Sequence, residues 1–398
     1  METLFEQSES ILEETSLSFT RGLLDTIDWS NRLIGLKGAR GTGKTTLLLQ
    51  WLKLQNLPSS KGAYFSMDDL YFSAHTLKET ARHFYKNGGK ILVLDEVHKY
   101  KNWSAEIKNI YDFYPGLKVI FTGSSIIDLS KQQGDLSRRA VMYELPGLSF
   151  REYLSMKEII RLEKIPFSRL ISDDASKLKT ELPKEFRPYE FFKDYLEKGY
   201  YPILLEGETS VHQKINQMIR TIVESDMAEL KDFDIRNAKK MLQLVYIIAQ
   251  QVPFKPNITS LAEKTGIHRN TISNYLYFLE QARLINLLQP KGTSISTLKR
   301  PEKIYLNNTT LQYSLGEEKA NKGSVRETFF YSQLFLHHKV QAAEKGDFTV
   351  NNKYIFEVGG ESKNKRQIAG LKNAFIVNDD LEYPQGKNIP LWMFGMDY

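Results

Sequence analysis

Short apolar runs at residues 33–36, 63–66, 91–94, 117–121 and 141–145 alternate along the chain with longer stretches of helical spacing. Each run is too short for a helix and has no polar alternation, which is how strands buried on both faces read. Strands alternating with helices predict a parallel α/β sheet, and that layer ends near Pro146. Ahead of it, residues 1–30 read as helices, with 18–28 polar enough to lie on a surface. Residues 150–250 place Phe191, Tyr195, Ile215, Ile219, Ile222, Val223, Leu242, Leu244, Val245 and Ile248 at helical spacing, with one turn at 199–202. A compact helical unit with a basic hairpin is expected from 258 to about 306. The remainder mixes a helix at 325–338 with strands at 348–350, 354–358, 374–377 and 390–394. No internal repeat and no low-complexity segment interrupts this order.

The first run leads into Gly38-Ala39-Arg40-Gly41-Thr42-Gly43-Lys44-Thr45, followed by Thr46-Leu47-Leu48-Leu49. This fits the phosphate-binding pattern G-x-x-x-x-G-K-[ST] in its proper setting, after a strand and before a helix. The glycines let successive N–H groups point at a β-phosphate, and the helix adds its positive end. Lys44 can span β- and γ-phosphates, and Thr45 can ligand magnesium. The expected nucleotide-binding residues are therefore Gly38 to Thr46, with ATP and Mg2+ as the bound species.

The third run delivers Asp95 and Glu96 to the edge of the sheet. Asp95 is expected to hold magnesium through water, and Glu96 to polarise an attacking water. An Asp-Glu pair, rather than a lone Asp, favours a hydrolytic ATPase over a kinase or switch GTPase. The run at 63–66, between loop and acidic strand, matches P-loop ATPases that insert a strand between these two motifs. The fourth run ends in Thr122-Gly123-Ser124-Ser125. Ser124 or Ser125 can sit between the water and the γ-phosphate, or simply cap the next helix. Arg138-Arg139 suits a charge clamp on the γ-phosphate, in cis or from a neighbouring subunit; an ordinary surface pair is the alternative.

These residues resemble a known family. The loop, Asp95-Glu96-Val97-His98-Lys99 with Trp103, Phe121-Thr122-Gly123-Ser124-Ser125, and Leu145-Pro146-Gly147-Leu148-Ser149-Phe150-Arg151-Glu152-Tyr153 are similar to prokaryotic AAA+-like ATPases. That family carries a C-terminal domain of unknown function related to restriction endonucleases. Looser matches continue through Tyr195-Leu196, Gly199-Tyr200-Tyr201-Pro202, Arg220 with Asp226, and Glu357-Val358-Gly359-Gly360, so the resemblance spans nearly the whole chain. The family usually has Gly-Arg where this chain has Arg138-Arg139, so an arginine role passes to Arg139 with that departure. The resemblance implies ATP binding and a partner-dependent role. The expected layout is an AAA+-like ATPase domain at 1–150, a helical linker or lid at 151–250, a winged helix-turn-helix at 251–306, and a nuclease-like domain at 307–398.

Residues 258–267 followed by 268–280 fit a helix-turn-helix, with Ala262 at the helix crossing, Gly266 in the turn, and Leu261, Ile267, Ile272 and Tyr275 inside. Thr265 stands where an apolar residue is usual. The second helix would expose Arg269, Asn270, Ser273, Asn274 and Tyr277, which suit base edges and phosphates. Runs at 284–288 and 304–306 are expected to form a wing around Lys291, Lys299, Arg300 and Lys303. The DNA-binding candidates are Arg269, Asn270, Ser273, Asn274, Lys299 and Arg300, with double-stranded DNA as the partner. The competing reading is a winged helix reused as a lid or protein-contact module.

Charge sharpens this. The whole chain has 54 basic and 48 acidic residues, a net +6. Residues 255–303 hold eight basic and three acidic side chains, so most of that excess lies in the helix-turn-helix segment. Farther on, Glu327, Asp347 and Glu357 have the order of a restriction-type nuclease core. The lysine expected two residues after the last of them is replaced by Gly359, with Lys363 and Lys365 as distant substitutes; a degenerate domain is expected. The absence of cysteine excludes disulfides, thiolate zinc sites, iron–sulfur clusters and cysteine nucleophiles, leaving oxygen-liganded magnesium as the expected metal. No apolar run approaches the ~18 residues of a membrane helix. Residues 1–14 carry five glutamates and no lysine or arginine, unlike a signal peptide. A cytoplasmic protein is expected, with oligomers open.

The function these features predict is ATP binding and hydrolysis, with nucleotide state controlling DNA or protein engagement by the C-terminal region. The alternatives are a nucleotide-switched DNA-binding regulator with negligible turnover and, on the weak carboxylate site, a DNA-cleaving effector.

Overall fold

The computed structural model describes all residues except 125–135, 137, 230–232, 292–300, 317–319, 361–367 and 369. It divides into two compact units, Met1–Gly147 and Leu148–Tyr398.

The first unit is built on five parallel strands: β1 (Leu33–Gly38), β2 (Gly62–Ser66), β3 (Ile91–Asp95), β4 (Lys118–Ser124) and β5 (Val141–Glu144). Their order across the sheet is β2-β3-β4-β1-β5. The five apolar runs are these five strands, and their lack of alternation has a direct cause. Leu92, Leu94, Val119 and Phe121 enter a core with Phe84, Trp103 and Ile107 on one face. Val93, Ile120, Ile34 and Leu36 enter a second core with Leu47, Leu48 and Trp51 on the other. Helices Leu77–Lys86 and Trp103–Phe113 cover the first face, and Lys44–Leu54 the second. Because all strands run one way, Gly38, Ser66, Asp95, Ser124 and Glu144 finish at one edge of the sheet.

The run at 63–66 is a strand, β2, between the loop and the acidic strand in chain order; in the sheet it takes the edge, and β4 lies between β1 and β3. One expectation is corrected here: the segment 18–28 is not wholly a surface. Arg21 is buried within it, as are Leu24 and Ile27.

The second unit begins with helices, among them Phe150–Met156, Pro188–Lys198, Val211–Thr221 and Ala238–Gln251. Ser149 and Glu152 form a complete capping box at the first of these. Helices Ile258–Thr265 and Arg269–Gln281 follow, joined by Gly266 in a left-handed conformation. An antiparallel ribbon, β6 (Ile285–Leu288) and β7 (Lys303–Leu306), comes next. Thr265 is buried after all, because its hydroxyl donates to the Leu261 carbonyl at 2.7 Å and its oxygen accepts the Ile267 N–H. Helix Lys322–Leu334 then packs on a mixed sheet of order β12-β11-β10-β9-β8. Its strands are β8 (Val340–Ala342), β9 (Phe348–Val350), β10 (Tyr354–Gly359), β11 (Ala374–Asn378) and β12 (Asn388–Pro390). The expected strand at 390–394 is instead a tight 3-10 turn, Leu391–Met396, with all six residues buried. A segment buried on every side carries no period to read.

Candidate functional site

At the end of β1 the chain passes Gly38, where a Cβ would lie 2.5 Å from the Leu145 carbonyl oxygen, so no larger residue fits. Gly43 caps the next helix at φ 89°, a left-handed conformation that glycine adopts without strain. Between them Thr42 is fully buried, its hydroxyl bonded to the Ala39 carbonyl at 2.9 Å. Arg40 and Thr46 are exposed, whereas Ala39 is buried. Lys44 is buried, and its ammonium donates to the carbonyls of Gly38 and Ala39, both at 3.0 Å. The loop is clamped from behind by the buried Arg21, which donates to the carbonyls of Thr42, Pro146 and Gly147 at 2.8–2.9 Å. Nothing in the local pattern of residues 18–28 signals that guanidinium.

Across the edge, Asp95 is buried and accepts three hydroxyls: Thr45 at 2.7 Å, Tyr64 at 2.9 Å, and Thr122. Burial and the neighbouring carboxylate push the Tyr64 phenol far above its ordinary range, so it remains a donor. Thr45 and Asp95 thus present adjacent hard oxygens, a donor set that fits magnesium. Glu96 follows at φ 51°, a left-handed conformation uncommon for a non-glycine residue. Its backbone N–H donates to the Thr122 hydroxyl at 3.0 Å, and its carboxylate stands 3.4 Å from Nε2 of His98. His98 is enclosed. Its desolvation, then the nearby Lys99, Lys44 and Arg40, hold the imidazole down to a pKa of about 3, so the ring is neutral.

The structure therefore brings together Lys44, Thr45, Asp95 and Glu96, and adds Tyr64, Thr122 and His98. Ser124 is buried and pairs in register with Gly38, beside the start of the loop, while Ser125 lies outside the described residues. Arg139 is not brought to this edge. It forms a two-pronged ion pair with Asp112, at 2.8 and 3.0 Å. Val141, two residues on, pairs with Ile34, so Arg139 sits near the start of β1 rather than its end. Six residues at ~3.3 Å each put it roughly 20 Å from the loop. A clamp on the phosphate from Arg139 of the same chain is corrected by that placement.

A family model described as an AAA domain matches residues 30–154, which hold this constellation. A second, a domain of unknown function (DUF8612), matches residues 189–322. The uncharacterized protein MJ1637 of Methanocaldococcus jannaschii is 30% identical over 387 aligned residues, covering 88% of this chain and 81% of its own. The chain belongs to the same family as this archaeal protein. Within the family it carries an AAA-type P-loop core, the fold of a nucleotide-binding ATPase. Among solved structures, AMPPCP-bound DnaA from Aquifex aeolicus has a TM-score of 0.28 at 15% identity, covering 70% of this chain and 88% of that one. A replication initiator DnaA bound to AMPPCP and single-stranded DNA has a TM-score of 0.31 at 17% identity, covering 70% and 87%. At such TM-scores neither likeness bears on what this family member does.

In the second unit Arg269, Asn270, Ser273, Asn274 and Tyr277 form an exposed row on one helix, with Ile272, Tyr275 and Leu276 buried beneath. Lys299 and Arg300 lie outside the described residues. Two of the basic side chains counted in residues 255–303 are bound to carboxylates: Lys255 to Glu302 at 2.8 Å, and the wing residue Lys303 to Glu327 at 3.0 Å. Lys303 also stands 3.6 Å from Asp347, and Tyr305 donates to Glu327 at 2.7 Å. Asp347 accepts the Val358 N–H at 2.9 Å, which brings it beside Glu357 on β10. Glu357 is buried. Among the described residues no group of three or more histidines and carboxylates is placed to hold a metal ion. Lys363 and Lys365 lie outside the described residues. No helix among the described residues is long and apolar enough to cross a membrane.

Proposed function

We propose that this protein binds ATP with magnesium in the first unit, hydrolyses it, and uses nucleotide state to control DNA or protein engagement by the second. The observation that carries this reading is the meeting of Lys44, Thr45, Asp95 and Glu96 at one sheet edge. Lys44 exchanges neutral carbonyl partners for phosphate oxygens, while the loop amides from Gly38 to Thr46 and the start of the Lys44–Leu54 helix face the same anion. Thr45 and Asp95 would hold magnesium, which supplies neutralisation of phosphate charge when bound. Glu96 orients the attacking water and accepts its proton. Ser124, beside Gly38, reads the γ-phosphate from the end of β4.

For the second unit, the exposed row Arg269, Asn270, Ser273, Asn274 and Tyr277 is the proposed surface for double-stranded DNA, with Lys299 and Arg300, outside the described residues, kept as candidates from the sequence. The helix pair and the β6–β7 ribbon support a winged-helix reading of this segment, and the carboxylates around Lys303 a degenerate nuclease-like one. A regulator with negligible turnover is the second reading, favoured by one observation. Arg139 is held on Asp112, away from the loop, so it does not serve as the phosphate-clamping arginine of its own chain in this arrangement.

Single-turnover hydrolysis of ATP by the wild type and by Glu96→Gln, with and without duplex DNA, tests these readings. Hydrolysis slowed about 10²- to 10⁴-fold by Glu96→Gln, with nucleotide binding retained, is the expected result. Equal rates for the two proteins would leave the switch reading standing. Stimulation by duplex DNA joins the two units, whereas its absence points to a protein partner.

A further inference from the structure

Glu96 is tethered to β4 twice. Its backbone N–H donates to Thr122 Oγ1 at 3.0 Å. Its carboxylate faces Nε2 of His98 at 3.4 Å, and Nδ1 of the same ring accepts the backbone N–H of Ser124 at 3.4 Å. An imidazole nitrogen that faces an N–H must present its lone pair, so the single proton of the neutral ring belongs on Nε2. That proton then points at the Glu96 carboxylate. The His98 side chain is only 1% exposed, and Nε2 has no closer hydrogen-bond partner. A buried donor left without an acceptor is costly, so the ring has reason to hold the carboxylate near it. Separations of 3.4 Å are long for such bonds, as catalytic contacts often are before substrate arrives.

We propose that His98 is a positioning residue: it fixes the direction of the Glu96 carboxylate and links it to the end of β4 beside the phosphate loop. The link has a clear route. Ser124 is the register partner of Gly38, the first residue of the loop. A shift of the loop on phosphate binding moves the Ser124 amide, which carries the ring, which carries the carboxylate. The wet face of Glu96 is where water enters, since its side chain remains 29% exposed while His98 closes the other side.

This inference rests on the hydrolytic reading of the same site, and one set of variants separates the two. Gln places an amide N–H near the position of Nε2, whereas Asn places its terminal atoms near Nδ1. His98→Ala is expected to lower kcat roughly tenfold to hundredfold, the range of a lost hydrogen bond to a charged group. The Kd for a non-hydrolysable ATP analogue should change far less than kcat, within about threefold, because His98 meets the phosphate end of the site only at the Ser124 backbone N–H and leaves the loop, Lys44 and the Ser124 hydroxyl in place. His98→Gln should recover most of the rate and His98→Asn should not. In a Glu96→Gln background, His98→Ala should cost nothing further, the signature of two residues acting as one unit.

A wild-type rate for His98→Ala overturns the inference and leaves hydrolysis intact. Equal losses for Ala, Gln and Asn overturn it as well, since they would mark a packing role only. So would a full additional loss in the Glu96→Gln background. A wild-type protein that binds ATP without turning it over removes the hydrolytic reading, and the inference falls with it.

Discussion

In the first unit Lys44 donates to the backbone carbonyls of Gly38 and Ala39, at 3.0 Å each. In the second, Lys303 donates to the Glu327 carboxylate at 3.0 Å and stands 3.6 Å from Asp347. Both lysines are held by oxygen. The difference is the charge on that oxygen. A neutral carbonyl offers an ammonium a dipole where a phosphate offers a full opposite charge, so an arriving phosphate has the advantage over it. A carboxylate matches the ammonium already, and two of them leave no reason to exchange partners. Lys44 therefore suits the proposed anion site, whereas Lys303 occupies the middle of an acidic cluster as a cation would. On that proposal the same residue type marks a binding site in one unit and a filled one in the other.

The largest effect that tests this contrast is at Lys44. Lys44→Ala should weaken ATP binding about 100-fold or more, because two charge-assisted bonds to phosphate are lost. Its unfolding midpoint should shift less than that of a variant at Lys303, since two of the partners it loses in the folded protein are neutral carbonyls of its own loop. Calorimetric titration and urea unfolding of the same sample read both. A variant that binds ATP as tightly as wild type would end the phosphate role of the loop lysine.

Lys303→Met is the converse. It should leave ATP affinity unchanged and destabilise the second unit by about 1–3 kcal/mol, the cost of leaving partly buried carboxylates without their cation. Glu327 and Asp347 are only 14% and 13% exposed, so water replaces the ammonium poorly. Urea unfolding followed by tryptophan emission measures it. An unchanged midpoint would mean that Lys303 is no more than a surface charge, and the contrast with Lys44 would fail.

What the sequence makes legible follows from how local each feature is. The strands of the first unit read correctly because each is a contiguous run and all but the partly exposed edge strand β5 have core on both faces. The turn from strand to helix at residues 38–45 is legible because its pattern lies in eight neighbouring residues. Asp95 and Glu96 adjoin. The features that escaped are made by distant partners. Arg21 reaches the carbonyls of Thr42, Pro146 and Gly147, and nothing near residue 21 announces them. Lys303 counts as one more wing base until Glu327 and Asp347 fold against it. Arg139 has the right sequence position for a phosphate clamp, but its ion pair with Asp112 belongs to the opposite end of β1. His98 lay in plain view two residues after Glu96. Its tautomer and direction come from Ser124 on another strand.

The smallest expected effect separates the two units by pH. Around Lys303 the partners are charged carboxylates; within reach of the charge on Lys44 is an enclosed neutral ring, His98. Its folded pKa is held at about 3 by burial and by Lys99, Lys44 and Arg40, with Asp68 opposing, against an ordinary 6.5. Between those values the unfolded chain binds a proton on this residue and the folded chain does not. Stability therefore falls as pH drops below about 6.5 and goes on falling towards about 3, by at most about 1.4 kcal/mol per pH unit from this group. Above pH 6.5 the ring is neutral in both states and contributes no slope. Other histidines and the carboxylates add their own dependence, so the informative quantity is a difference. His98→Gln cannot be protonated, and the stability of wild type minus that of the variant should decline from pH 6.5 to 4.5 and be flat from 7 to 8. Urea unfolding of the first unit at those pH values gives that difference. A flat difference throughout would mean that His98 is protonated as readily in the folded protein as outside it. The Nε2 proton could then no longer be assigned from the Ser124 contact alone, and the contrast between a neutral partner in one unit and charged partners in the other would have to be redrawn.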